Sequence, residues 1–183
     1  MGLGNPGEVY AATRHNLGFR VVEALARRRG IRFEREECSA RVGAGGELVL
    51  AEPLTFMNRS GYAVRCLAER HGLAPEAILI AYDDVALPLG TLRLRPRGGP
   101  GGHRGMESVI ENLRSDAVAR LRLGIAQESA PDGAGERDLS EFVLSAFEES
   151  ELETVEALVA RAAESAELWL ELGTEAAMNR ING

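Results

Sequence analysis

The sequence predicts an α/β fold, a three-layer αβα sandwich around a mixed central sheet, in a single domain over residues 1–183. Two observations carry this. Apolar runs of strand length alternate with segments whose apolar residues recur at helical spacing, the order expected when helices pack on both faces of a sheet. The strands are also of two kinds. AILIAY (residues 77–82) is a continuous apolar run, as in a strand buried on both faces, whereas TLRLR (91–95) and RLRLGI (120–125) alternate arginine with leucine. Such alternation belongs to strands with one open face, so the sheet is expected to be mixed.

The elements follow in order. A core strand should precede the GLGNPG loop at residues 2–7, yet Met1 alone stands before it. The first strand is therefore expected to be truncated by about four to six residues. Residues 17–29 place Leu17, Val21, Ala24 and Leu25 on one side of an amphipathic helix that stops at Gly30. ELVLAE (47–52) reads as a strand ended by Pro53, and a second helix runs from Asn58 through Ala63, Val64, Leu67 and Ala68 to about Gly72. After strands 77–82 and 91–95, GGPGG (98–102) forms a flexible loop before a helix through Met106, Val109, Ile110 and Leu113. Residues 127–137, rich in Gly, Pro, Ser and acids, read as a mobile loop. Leu152, Val155, Leu158, Val159, Ala162, Ala166 and Trp169 then trace one long helix with an acidic outer face.

Composition narrows the classes. No apolar stretch approaches the roughly 18 residues of a membrane span. The N-terminus lacks a basic-then-apolar export signal. Cys38 and Cys66 form no C-x-x-C motif and are expected to be two reduced cytosolic thiols. The net charge of −7 argues against a polyanionic partner, but its distribution does not. Residues 127–175 hold 14 acids against Arg137 and Arg161, whereas residues 91–105 carry Arg93, Arg95, Arg97 and Arg104 with His103 and no acid. A local basic patch binds phosphates whatever the global sign. The chain has no lysine, so each basic contact is a guanidinium fork.

Gly2, Gly4 and Gly7 fit G-x-G-x-x-G. A dinucleotide turn also needs a preceding strand, a helix opening at the loop, and an acid about 20 residues on. Here the strand is missing, Pro6 stiffens the turn, and the helix opens only near Leu17. The competing reading rests on Asn5 and His15. Histidine is the usual general base near neutral pH, and it needs a group to orient its ring and donors for a developing oxyanion. Asp83 follows the buried strand, where α/β folds place functional groups, with Asp84 beside it. Asn58 sits at a strand-to-helix turn, where an asparagine can equally cap the helix. His71 has no partner in sequence and reads as helix surface. No Cys/His/Asp cluster has metal-ligand spacing, and no G-x-S-x-G elbow is present.

Five motifs together resemble bacterial peptidyl-tRNA hydrolases in order and spacing: GLGNPG (2–7), YAATRHNLG (10–18), PLTFMNRSG (53–61), AYDD (81–84) and GPGGH (99–103). The resemblance implies cleavage of the ester joining a peptide to the 3′-terminal ribose of tRNA, which recycles tRNA from aborted translation. It implies that His15 is the base that activates water and that Asp83 orients it. Asn5 and Asn58 then position the substrate and stabilise the tetrahedral intermediate. Tyr10 and Met57 line the peptide and terminal-nucleotide pocket, and Arg95 and Arg122 grip the terminal phosphate. His103 and Arg104 belong to the same substrate surface. The family is cytoplasmic, metal-free, without a cofactor and usually monomeric, with peptidyl-tRNA as its partner. One departure stands out: the family's usual GGHNG is GGHRG here, with Arg104 in the place of an asparagine. A guanidinium accepts no hydrogen bond, so the expectation is retained activity with altered rate or substrate preference. The rival expectation is a non-catalytic RNA-binding protein on the same fold.

Overall fold

The computed structural model describes residues 1–127 and 136–183. Helix α1 (Leu17–Arg29) buries Leu17, Val21, Val22 and Leu25. It stops where Gly30 turns left-handed at φ 62° and its N–H returns to the Ala26 and Arg27 carbonyls. A meander follows, β1 (Phe33–Glu37), β2 (Ala40–Gly45) and β3 (Leu48–Pro53), each strand antiparallel to the next. A single 3₁₀ turn, Met57–Arg59, leads into α2 (Ser60–His71). Then come β4 (Leu79–Pro88), β5 (Leu92–Arg95), α3 (Arg104–Leu113), β6 (Ala119–Ala126), α4 (Glu136–Val143), α5 (Leu152–Leu172) and α6 (Thr174–Ile181).

The strands form two three-stranded sheets, β1-β2-β3 and β4-β6-β5, with β4 parallel and β5 antiparallel to β6. Residues 1–3 tie the two together. The Ala81 N–H donates to the Met1 carbonyl (2.9 Å), Leu3 N–H to the Ala81 carbonyl (2.9 Å) and Gly2 N–H to the Ala51 carbonyl (3.1 Å). This is one rung of parallel pairing, Gly2 with Ala81, at the place where a full first strand was expected. Next to the rung lies an apolar cleft of about 950 Å³ between β3 and β4, lined by Leu25, Leu50, Val64, Ile78 and Trp169 among others.

Helices cover both faces. On one, Leu17 and Val21 of α1 pack with Val155 and Leu158 of α5 and Ala177 of α6 against Ala81, Leu121 and Leu123. On the other, Val64 and Ala68 of α2 and Met106 and Val109 of α3 meet Ile80 and Tyr82. Alternate β4 residues thus enter opposite cores, which is why 77–82 is apolar throughout. Among the described residues, no helix is long and apolar enough to cross a membrane.

Three expectations need correction. Cys38 and Cys66 are not separate thiols but a disulfide, with Cα atoms 5.6 Å apart across 28 residues of sequence. The β1–β2 turn, in which Cys38 and Ser39 both take positive φ, delivers Cys38 to α2. The second helix begins at Ser60 rather than Asn58, after the 3₁₀ turn. The strand expected over 77–82 begins at Leu79, after a 3₁₀ turn at Pro75–Ala77, and runs on to Pro88, so Asp83 and Asp84 lie within β4, not after it. The loop expected over 127–137 falls largely outside the described residues.

Candidate active site

Asp83 lies at the middle of β4 and is 1 % exposed. Two imidazoles meet it. His15, from the 3₁₀ turn Arg14–Asn16 that leads into α1, places Nδ1 at 2.9 and 3.0 Å from the two carboxylate oxygens. His103, the N-cap of α3, places Nε2 at 3.1 Å from Oδ1. The Met106 N–H donates to His103 Nδ1 (3.1 Å), so the proton of that ring resides on Nε2 and is donated to Asp83. His15 likewise donates Nδ1–H to the carboxylate, which leaves Nε2 unprotonated in the neutral ring and available as a base. Burial pushes the Asp83 carboxyl up, but the electrostatic pull of His15 and His103 and their hydrogen bonds outweigh it. They hold the group well below the usual carboxylate range.

Asn5 is buried as well. Its Oδ1 accepts from the Met57 N–H (2.8 Å), which fixes the amide orientation and leaves Nδ2 as the donor. Its backbone is clamped by a residue the sequence reading passed over. Asn16 accepts the Asn5 N–H on Oδ1 and donates Nδ2–H to the Asn5 carbonyl, both at 2.9 Å. Asn58 is exposed and caps nothing: Phe56 and Arg59 occupy the cap positions of the 3₁₀ turn and α2. Its amide stands on the rim. Tyr10 meets Phe56 edge-on, with ring centroids 6.4 Å apart.

These groups face one cavity of about 410 Å³ that takes in Asn5, Tyr10, His15, Met57, Asn58 and Asp83. His103 and Arg104 also border it. One wall was not foreseen: Leu139, Val143 and Leu144 of α4 and the turn after it. They follow the acid-rich stretch 127–137, and no sequence signal brings them back to His15.

The arginines divide. Arg104, first residue of α3, is exposed at the mouth. Register sets Arg93 opposite Arg122 and Arg95 opposite Arg120, so all four share a sheet face. Arg120 is 2 % exposed and holds the glycine loop, donating to the Gly99 (2.9 Å) and Asp116 (3.0 Å) carbonyls. Arg122 donates to Asp84 at 2.6 Å. Arg95 is exposed outside the cavity. The glycine-rich loop at 2–7 leads only to a three-residue 3₁₀ turn at Glu8–Tyr10, which offers no helix N-terminus to a pyrophosphate. Nδ1 or Nε2 of His15 and His103 and an Asp83 oxygen lie within 4.8 Å of one another. Among the described residues this is the one cluster that could hold a metal ion.

An imidazole hydrogen-bonded to a buried carboxylate, with amide side chains lining the same cavity on an αβα scaffold, is the arrangement a general base requires. The family model for peptidyl-tRNA hydrolase matches residues 1–183. The peptidyl-tRNA hydrolase of Methylacidiphilum infernorum is 41% identical over all of this chain and 96% of its own length. That of Syntrophomonas wolfei is 44% identical over all of this chain and 98% of its own. The crystal structure of the Acinetobacter baumannii peptidyl-tRNA hydrolase superposes with a TM-score of 0.90 at 35% identity, covering 100% of this chain and 92% of that one. The chain belongs to the peptidyl-tRNA hydrolase family.

Proposed function

We propose that this cavity hydrolyses the ester between a peptide and the 3′-terminal ribose of tRNA. The observation that carries it is the His15–Asp83 pair, which lines one cavity with Asn5. His15 Nε2 removes a proton from water as the oxygen attacks the ester carbonyl. Asp83 holds the resulting imidazolium. Asn5 Nδ2 and the Asn58 amide donate to the oxyanion of the tetrahedral intermediate. On collapse, the ester C–O bond breaks and His15 returns its proton to the ribose oxygen, releasing a carboxylic acid and free tRNA. Base-activated water with amide donors needs no cofactor and no metal.

Met57, Tyr10 and the α4 wall receive the peptide and the terminal nucleotide. His103 keeps Asp83 in place, while Arg95, Arg104 and Arg122 face the tRNA backbone. Such contacts carry no sequence information, which suits a substrate class defined by a shared tRNA shape. The protein acts as one domain over residues 1–183, as a monomer, in the cytoplasm where translation occurs.

The test is turnover of an N-acetylated aminoacyl-tRNA, with His15→Ala beside the wild type. Release of free tRNA by the wild type and loss of it in the variant is the expected result. Equal rates would end the enzyme reading and leave an RNA-binding protein on this fold.

A further inference from the structure

Arg14, immediately before His15, is 1 % exposed, yet the proposed chemistry gives it no part. Its guanidinium forks onto Glu151, NH1 to Oε1 at 3.0 Å and NH2 to Oε2 at 2.6 Å. Two aromatic faces enclose it, with the guanidinium carbon 4.5 Å from the Phe142 ring centroid and 4.6 Å from that of Phe147. The backbone adds to the tie: Arg14 N–H donates to the Ser145 carbonyl (3.0 Å), and Thr13 bridges Ala146. Phe142 lies among the residues that form the apolar wall of the cavity, Leu139, Val143 and Leu144, and Ser145, Ala146, Phe147 and Glu151 follow them.

A buried ion pair is poor value as a stabiliser, since well-packed apolar residues of the same volume usually serve as well or better. It does supply a fixed geometry. A planar guanidinium stacked between two rings and forked onto a carboxylate has one orientation, which an ammonium cannot reproduce. The pair therefore sets the spacing between the turn that carries His15 and the wall that faces it.

We propose that Arg14 is a positioning residue for substrate: it holds the α4 wall at the distance from His15 that seats the side chain next to the scissile ester. This rests on the ester-hydrolase reading above. His15 keeps its own contact with Asp83, so the chemistry itself does not pass through Arg14.

The test compares N-acetyl-phenylalanyl-tRNA with N-acetyl-glycyl-tRNA in wild type and Arg14→Lys, with melting temperature and circular dichroism as a check on folding. For the phenylalanyl substrate KM is expected to rise about tenfold, equivalent to roughly 1.4 kcal/mol of lost binding, with kcat within about twofold. For the glycyl substrate, which has no side chain to seat, KM stays within about threefold. Phe142→Leu removes one stacking face and is expected to move KM the same way by less; it decides the matter if Arg14→Lys does not fold. A fall in kcat at constant KM, an equal rise in KM for both substrates, or no change at all would overturn the proposal. Absence of turnover by the wild type would instead strike the ester-hydrolase reading.

Discussion

Replacing Asp83 by asparagine keeps the volume of the side chain and removes its charge. In the structure Oδ1 accepts from both His15 Nδ1 and His103 Nε2, at 3.0 and 3.1 Å, while Oδ2 accepts from His15 alone at 2.9 Å. An amide can satisfy only part of this. With its oxygen at the Oδ1 position, the NH₂ group confronts the His15 Nδ1–H, donor against donor. The flipped amide confronts the His103 Nε2–H instead, and His103 cannot yield because the Met106 N–H occupies its Nδ1. His15 is thus driven to carry its proton on Nε2, where the base must be free. The imidazolium formed in the reaction also loses its counter-charge. Unit charges 3–4 Å apart attract by roughly 4–5 kcal/mol at an effective dielectric near 20. A neutral hydrogen bond recovers about 1 kcal/mol of that. The remaining 3–4 kcal/mol or so corresponds to a fall in kcat of several hundredfold, with KM little changed. Single-turnover hydrolysis of N-acetyl-aminoacyl-tRNA measures it, and a variant within about tenfold of wild type would refute the reasoning. The same substitution alters acid stability. The folded-state carboxyl sits below its ordinary value of 3.8, so the stability it contributes is present above that pH and lost as pH falls through and below it. Asp83→Asn is expected to flatten this acid limb in denaturant melts.

Three further outcomes are expected. Opening the Cys38–Cys66 disulfide frees a loop of 28 residues, for which the chain-entropy relation gives about 3.5 kcal/mol, so urea unfolding with and without a dithiol reductant should show a lowered midpoint. Arg104→Asn restores a hydrogen-bond acceptor at the cavity mouth, and turnover assays should show a change of at least about threefold in kcat or KM; identical constants would mean that position 104 is idle. Gly18→Ala sets a Cβ against the Ala81 and Leu3 backbone, where neither neighbour can move without breaking the tie between the sheets. Thermal melting should register a loss on the order of 2–3 kcal/mol, and an unchanged midpoint would show that the contact is slack.

Helix α1 was legible to its ends because its stop is chemical: an apolar stripe and then a glycine free to turn left-handed. Strand β4 was legible because both its faces are buried. Phe33-Glu-Arg-Glu-Glu37 was not, since the side chains of this edge strand are mostly charged and exposed, and its hydrogen bonds depend on a neighbour ten residues or fewer away rather than on its own pattern. For the site, Asn5, His15 and Asp83 were found in sequence and do converge. Their supports were not. Asn16 sits inside the same short motif, but only folding turns its amide onto the Asn5 backbone. Arg122 reads as an exposed cation by strand alternation, and its link to Asp84 appears only once β4 lies beside β6. The disulfide was misread because sequence separation says nothing of where a hairpin turn lands.

The rung formed by residues 1–3 links the two sheets by three backbone hydrogen bonds, and Asn5 hangs two residues beyond it. His15 and Asp83 belong to the α1 and β4 side, whereas Asn5 is anchored through Leu3 to β4 and through Gly2 to β3. A slight shear of one sheet against the other would leave the base, its carboxylate and the Asn5 backbone aligned while drawing the Met57 N–H, just beyond β3, away from Asn5 Oδ1 and so turning the amide proposed to hold the oxyanion. Mechanical looseness at this seam thus translates into poorer stabilisation of the intermediate, not into a weaker base.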